Sequence, residues 1–147
     1  MQDTVLQTSG HAAYALQTHI VFATKYRHEC LTAQMLASMK RQVEDVCAKW
    51  RSTLMEFNGE ADHVHLLVSS HPTVAISAIV TSLKTVTARK MRSEFKAHLR
   101  PYYWKPVFWS ASYAAFSVGA ADLKTVTQYI RNQASPACVA SHAGLPR

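Results

Sequence analysis

Asp62-His63-Val64-His65-Leu66-Leu67-Val68 is the stretch on which the reading of this chain turns. It alternates as a strand does, and side chains two apart on a strand share a face. Val64, Leu66 and Val68 therefore make one apolar face, set against a core. His63 and His65 stand together on the other face with their imidazoles pointing the same way. Two neutral imidazoles so placed can hold a divalent metal ion once a third ligand arrives from elsewhere. Short His-x-His runs with no metal role are common, so the pair gains meaning only from its surroundings.

Working outward, Thr53 to Gly59 (TLMEFNG) alternates as a preceding strand, and Asn58-Gly59 is a turn signal, so the two strands are expected to form a hairpin. Upstream, Met35, Met39, Val43, Val46 and Trp50 recur at helical spacing between Thr32 and Arg51, with Thr32 as N-cap. Tyr14 to Tyr26 (YALQTHIVFATKY), rich in β-branched and aromatic residues, reads as a long first strand. It closes on the basic cluster Lys25-Tyr26-Arg27-His28, and residues 1–13 read as a flexible leader.

Downstream, Ser69 to Pro72 reads as a loop, with the next N-cap between Ser70 and Thr73. The helix that follows runs to about Phe95, carrying Ile76, Ile79, Val80, Leu83, Val86 and Met91 at helical spacing. Its later half is basic, with Lys84, Arg89, Lys90, Arg92 and Lys96, and Arg100-Pro101 breaks the pattern. Tyr102 to Trp109 is aromatic, basic and punctuated by proline, and reads as a loop. Ser112 to Val118 reads as the last strand and Gly119 as a joint. Asp122 to Gln133 reads as a final helix with Leu123, Val126 and Ile130 on its apolar side, and residues 134–147 as a tail.

The order is β-α-β-β-α-β plus one helix. This is an α+β, ferredoxin-like arrangement: an antiparallel sheet with both long helices on one face. A single domain is expected over residues 14–133. The other sheet face, where His63 and His65 belong, is left open. The extra helix or a second subunit is the natural cover.

A chain of 147 residues with 48% apolar and 17% charged residues suits one globular domain. Sixteen Lys plus Arg against nine Asp plus Glu give a net charge of +7, which favours a polyanionic partner, nucleic acid first and anionic membrane second. The three cysteines (30, 47 and 138) are scattered and show no CxxC spacing, which argues against a zinc site or a disulfide framework and for a reducing compartment. The N-terminus lacks a basic start followed by an apolar core, and no apolar run approaches the ~20 residues of a membrane span. A cytoplasmic location, with no membrane partner, is expected.

The final helix carries Tyr129 and Gln133, four apart and so one above the other on one face. A glutamine carbonyl is a hard ligand that suits Mg²⁺ or Mn²⁺. A tyrosine hydroxyl can act as a covalent nucleophile if activated. On the residues alone, the plainer readings, a boundary tyrosine with a wet hydroxyl and a solvated helix end, come first.

The chain resembles the single-tyrosine HUH transposases of the insertion-sequence 200/605 type, HUH meaning His-hydrophobic-His. The matching segments are HIVFATKYRHECL (19–31), ADHVHLLVS (61–69), FWSASYAAFSVG (108–119) and TVTQYIRNQ (125–133). The resemblance runs over residues 14–133. It implies a DNA transposase: a single-stranded DNA endonuclease and strand transferase that works as a homodimer and recognises hairpins at element ends. It further implies that His63, His65 and Gln133 hold the metal and that Tyr129 forms a 5′-phosphotyrosine. Departures from the pattern are Ala61 where proline is frequent, Ala111 within Ser110-Ala111-Ser112-Tyr113, and Ala120 after Gly119.

The expected chemistry exchanges one phosphodiester for another, so no nucleotide cofactor is needed. Lys25, Arg27, Lys84, Arg89, Lys90 and Arg92, with the aromatics of Tyr102–Trp109, are the candidate phosphate and base contacts. A solvated charged face and core aromatics are the alternatives for each. Three further readings of the whole chain stand beside transposition: a domesticated, repeat-associated HUH nickase, a catalytically silent ferredoxin-like nucleic-acid-binding protein, and a small metal-dependent hydrolase.

Overall fold

The computed structural model describes residues 7–9, 12–14 and 16–118; the expected final helix at Asp122–Gln133 and the tail lie outside them. β1 (Gln7–Ser9) pairs with β2 (Ala12–Tyr14) in a small antiparallel hairpin, so the stretch read as a flexible leader contains paired strand.

The main sheet has the order β4-β5-β3-β6, with β3 (Gln17–Ala23), β4 (Thr53–Gly59), β5 (His63–Ser69) and β6 (Ala114–Ser117) all antiparallel. α1 (Ala33–Lys49) and α2 (Ile76–Glu94) complete the ferredoxin-like order. Ile20, Phe22, Val64, Leu66 and Val68 share one buried cluster with Met35, Met39 and Val43 of α1 and Ile79, Leu83 and Met91 of α2. Both helices therefore cover one sheet face, and the odd-numbered residues 19, 21, 63 and 65 belong to the other.

Local chemistry explains most boundaries. Thr32 caps α1 by accepting the Met35 N–H at 3.2 Å. The long first strand expected over 14–26 ends at Ala23, because Tyr26 and Arg27 take positive φ values of 61° and 56° that no strand tolerates. The Asn58-Gly59 turn signal is displaced: both residues stay in β4, and the chain reverses over residues 60–62. Gly59 lies against Leu36 of α1, where a Cβ would meet Leu36 Cδ2 at 2.5 Å and the leucine side chain would have to shift. α2 starts later than expected, capped by Ala75. His71 Nδ1 accepts the Thr73 N–H at 3.2 Å and lies 2.7 Å from Thr73 Oγ1, so that hydroxyl serves the loop, not the helix. After α2, a short α3 (Lys96–Leu99) leads into the aromatic loop.

Candidate active site

β5 places the two histidines as its alternation requires. His63 stands opposite Ala23 and His65 opposite Val21, both half-buried on the face away from the helices. Each ring has one nitrogen already engaged. His63 Nδ1 donates to Asp62 Oδ1 at 2.9 Å, since a carboxylate can only accept. That bond fixes the tautomer and leaves the Nε2 lone pair free, the usual way a metal-ligating histidine is oriented.

Asp62 is itself held from behind. Arg27 Nε and Nη2 reach its Oδ2 at 3.1 and 2.9 Å. Burial pushes the Asp62 carboxyl up, but hydrogen bonds from His63 and Arg27 outweigh it and hold the group below its usual value. The Arg27 side chain is only 10% exposed, and its Nη1 is buried with no hydrogen-bond partner. The turn that delivers it is strained, since a non-glycine residue in the left-handed region costs ~1–2 kcal/mol. It is braced by the Arg27 N–H to Thr24 O (3.0 Å) and the Lys25 N–H to Phe108 O (2.8 Å). Thr24 also donates its N–H to Asp62 O at 3.0 Å. The basic Lys-Tyr-Arg segment is thus clamped to the residue preceding His63.

His65 Nε2 lies 2.9 Å from Nδ1 of His19 on β3, with the rings near parallel at 19°. Burial holds both imidazoles below the usual value; for His65 the neighbouring His19 and His63 add to the effect, and for His19 the Glu56 carboxylate opposes it. Neutral rings suit metal ligation, but His65 can offer Nε2 to a metal only by giving up His19. Among the described residues no three His, Cys, Asp or Glu side chains form a metal cluster. His63 and His65 fit as two ligands of a set completed from elsewhere. Tyr129 and Gln133 lie outside the described residues.

The candidate DNA contacts divide. Arg27 is taken up by Asp62, and the Lys84 ammonium donates to the carbonyls of Ser110 (2.7 Å) and Ala111 (3.2 Å). Arg89 and Lys90 are exposed on α2, while Lys25 and Arg92 are half-buried. The aromatic loop divides likewise. Tyr103, Phe108 and Trp109 are core, Trp109 Nε1 donating to Thr87 Oγ1 at 2.9 Å, whereas Trp104 is 86% exposed. The sequence pattern alone does not mark Asp62 or His19 as partners of the two histidines. Asp62 directly precedes the first histidine, and His19 shares the strand parity of Val21 opposite His65.

Three comparisons bear on this geometry. The family described as Transposase IS200 like matches residues 12–133. The ISDra2 transposase TnpA of Deinococcus radiodurans is 30% identical over 120 residues, 82% of this chain and 85% of that protein. The transposase for insertion sequence element IS200 of Salmonella typhimurium is 26% identical over 125 residues, 84% of this chain and 80% of that protein. Among solved structures, a candidate transposase from D. radiodurans superposes with a TM-score of 0.76 at 31% identity, covering 86% of this chain and 97% of that one. A REP-associated tyrosine transposase bound to a REP hairpin shares the fold, with a TM-score of 0.51 at 12% identity, covering 84% and 68%.

Proposed function

The chain belongs to the IS200-like transposases, and from that membership and its paired histidines we infer a metal-dependent endonuclease and strand transferase acting on single-stranded DNA. The observation that carries the reading is His63 beside His65 on one face of β5, with the His63 tautomer set by Asp62. His63 and His65 would supply two ligands and Gln133 a third to a Mg²⁺ or Mn²⁺ ion. Bound there, the ion would supply Lewis-acid polarisation of the scissile phosphate.

The remaining steps belong to the chain and the DNA. The Tyr129 hydroxyl loses its proton and attacks phosphorus in line, the bond to the 3′ oxygen breaks, and that oxygen takes up a proton. The products are a 5′-phosphotyrosine and a free 3′ hydroxyl. Joining is the same exchange in reverse with a second strand, and no nucleotide cofactor enters. Hairpins at element ends are the proposed recognition feature, in line with the REP hairpin carried by the distant fold relative. A homodimer is proposed because the face bearing the histidines needs a cover, which a second subunit could provide.

The test uses labelled single-stranded hairpin DNA and Mg²⁺, with an SDS-resistant protein–DNA adduct as readout. Tyr129→Phe is expected to abolish the adduct while leaving binding nearly intact. An adduct that persists in this variant moves the nucleophile elsewhere, with the exposed Tyr26 and Tyr113 next in line.

A further inference from the structure

Two adjoining cavities flank the C-terminal half of α2. One, of about 420 Å³, is lined by Arg92, Lys96, Arg100 and Lys105 among others. The second, of about 280 Å³, shares Arg92 and Val107 with the first and continues to Lys25 and Lys84. Among the described residues no carboxylate lines either cavity. Two hollows walled by cations of one sign focus a positive potential that only a polyanion would complement.

The path has a direction. At one end, Lys25 follows Thr24, whose N–H is bonded to Asp62 O at 3.0 Å, so the track opens beside the strand end that carries His63. At the other, Trp104 sits in sequence between Tyr103 and Lys105, which both line the larger cavity. Trp104 is 86% exposed and makes no core contribution, and Lys105 Nζ lies 4.8 Å from its ring centroid. An indole so placed beside a basic hollow offers a stacking surface for a base whose phosphate is already held. Lys84 is spent on the Ser110 and Ala111 carbonyls, and Arg92 gives one nitrogen, Nη1, to Pro106 O at 3.4 Å, which leaves its remaining N–H groups and the other cations of the two walls for phosphate.

We propose that these two cavities form a single-strand track, in which Lys25, Arg92, Lys96, Arg100 and Lys105 contact the backbone and Trp104 stacks a base away from the cleavage site. The proposal takes from the DNA-acting reading only the identity of the polyanion.

The test measures binding of the full chain to a short fluorescent oligothymidylate in EDTA, across a salt series. Because no cleavage occurs, the result is independent of Tyr129 and of metal. Trp104→Ala is expected to weaken binding roughly fivefold to a hundredfold, the range for one base stacked on one ring. Lys96→Gln with Arg100→Gln is expected to flatten the slope of log affinity against log salt by about 1.4, at ~0.7 per phosphate contact. Lys40→Gln with Arg41→Gln, on the exposed side of α1, removes the same charge and is expected to leave the slope nearly unchanged. Track variants that bind like wild type, or an α1 control that flattens the slope as much, would overturn the track. Loss of binding in the track variants from a protein that forms no covalent adduct would uphold the track and remove the nuclease reading alone.

Discussion

Replacing Asp62 by Ala should destabilise the protein, and adding Arg27→Met should restore part of the loss. Asp62 accepts from His63 Nδ1 at 2.9 Å and from Arg27 Nε and Nη2 at 3.1 and 2.9 Å. Without it, a guanidinium only 10% exposed, with Nη1 already lacking a partner, has no counter-charge. Removing one member of a buried pair costs about 3–5 kcal/mol. Asp62 is 20% exposed, so water can reach the vacated site, and the lower value of ~2–3 kcal/mol is expected. In urea, where m is about 1–3 kcal/mol/M, that lowers the unfolding midpoint by ~1–2 M at unchanged m. The double variant removes the stranded cation and should recover ~1–2 kcal/mol, because lost hydrogen bonds cost less than an unpaired buried charge. A double variant less stable than Asp62→Ala alone would refute the reasoning. A second readout separates stability from positioning. In folded Asp62→Ala protein, Mn²⁺ affinity by calorimetry should fall about 10- to 100-fold, the usual cost of losing a carboxylate behind a ligating histidine.

Three further outcomes are expected. His63→Ala and His65→Ala should each remove DNA cleavage, as EDTA should from the wild type, with Gln133→Ala less severe because water can replace a neutral ligand; full-rate cleavage in EDTA ends the metal reading. Stability should decline in acid. Burial holds His19 and His65 below the usual histidine value of about 6.5, so the unfolded chain takes up protons first and stability is lost from ~6.5 downward. The lowered Asp62 adds stability that is present above its unfolded value of about 3.9 and lost as pH falls through its folded value. Urea midpoints that stay flat between about pH 7 and 5 contradict this histidine contribution. Finally, if Tyr129 serves the partner's histidines, mixing Tyr129→Phe with His63→Ala protein should restore adduct formation. If it serves its own, the mixture stays inactive, and a monomer by sedimentation at micromolar concentration would remove the dimer altogether.

What could be seen in the sequence is what depends on short periods. The two-residue alternation of β5 assigned Val64, Leu66 and Val68 to the core and the histidines to the opposite face, as the buried cluster and the strand pairing show. Helical spacing and the Thr32 cap located α1 for the same reason: the relevant contacts are made within a few residues. Gly59 shows where that reasoning stops. Asn58-Gly59 is locally a turn signal, yet both residues stay in β4, with Gly59 packed against Leu36 from another element. The site partners go further beyond local rules. His19 meets His65 only because β3 and β5 pair in one particular register, with Val21 opposite His65. Arg27 meets Asp62 only because Tyr26 and Arg27 adopt the left-handed backbone, which their residue types disfavour. No propensity would predict that turn, and tertiary bonds from Thr24, Phe108 and Asp62 are what hold it. A strained turn that delivers a buried arginine to the aspartate behind a candidate ligand is where strain is expected to persist, since the surrounding structure over-determines it. The Lys-Tyr-Arg segment is thus better explained as the support of His63 than as a surface for phosphate, with Lys25 alone turned toward the basic cavity.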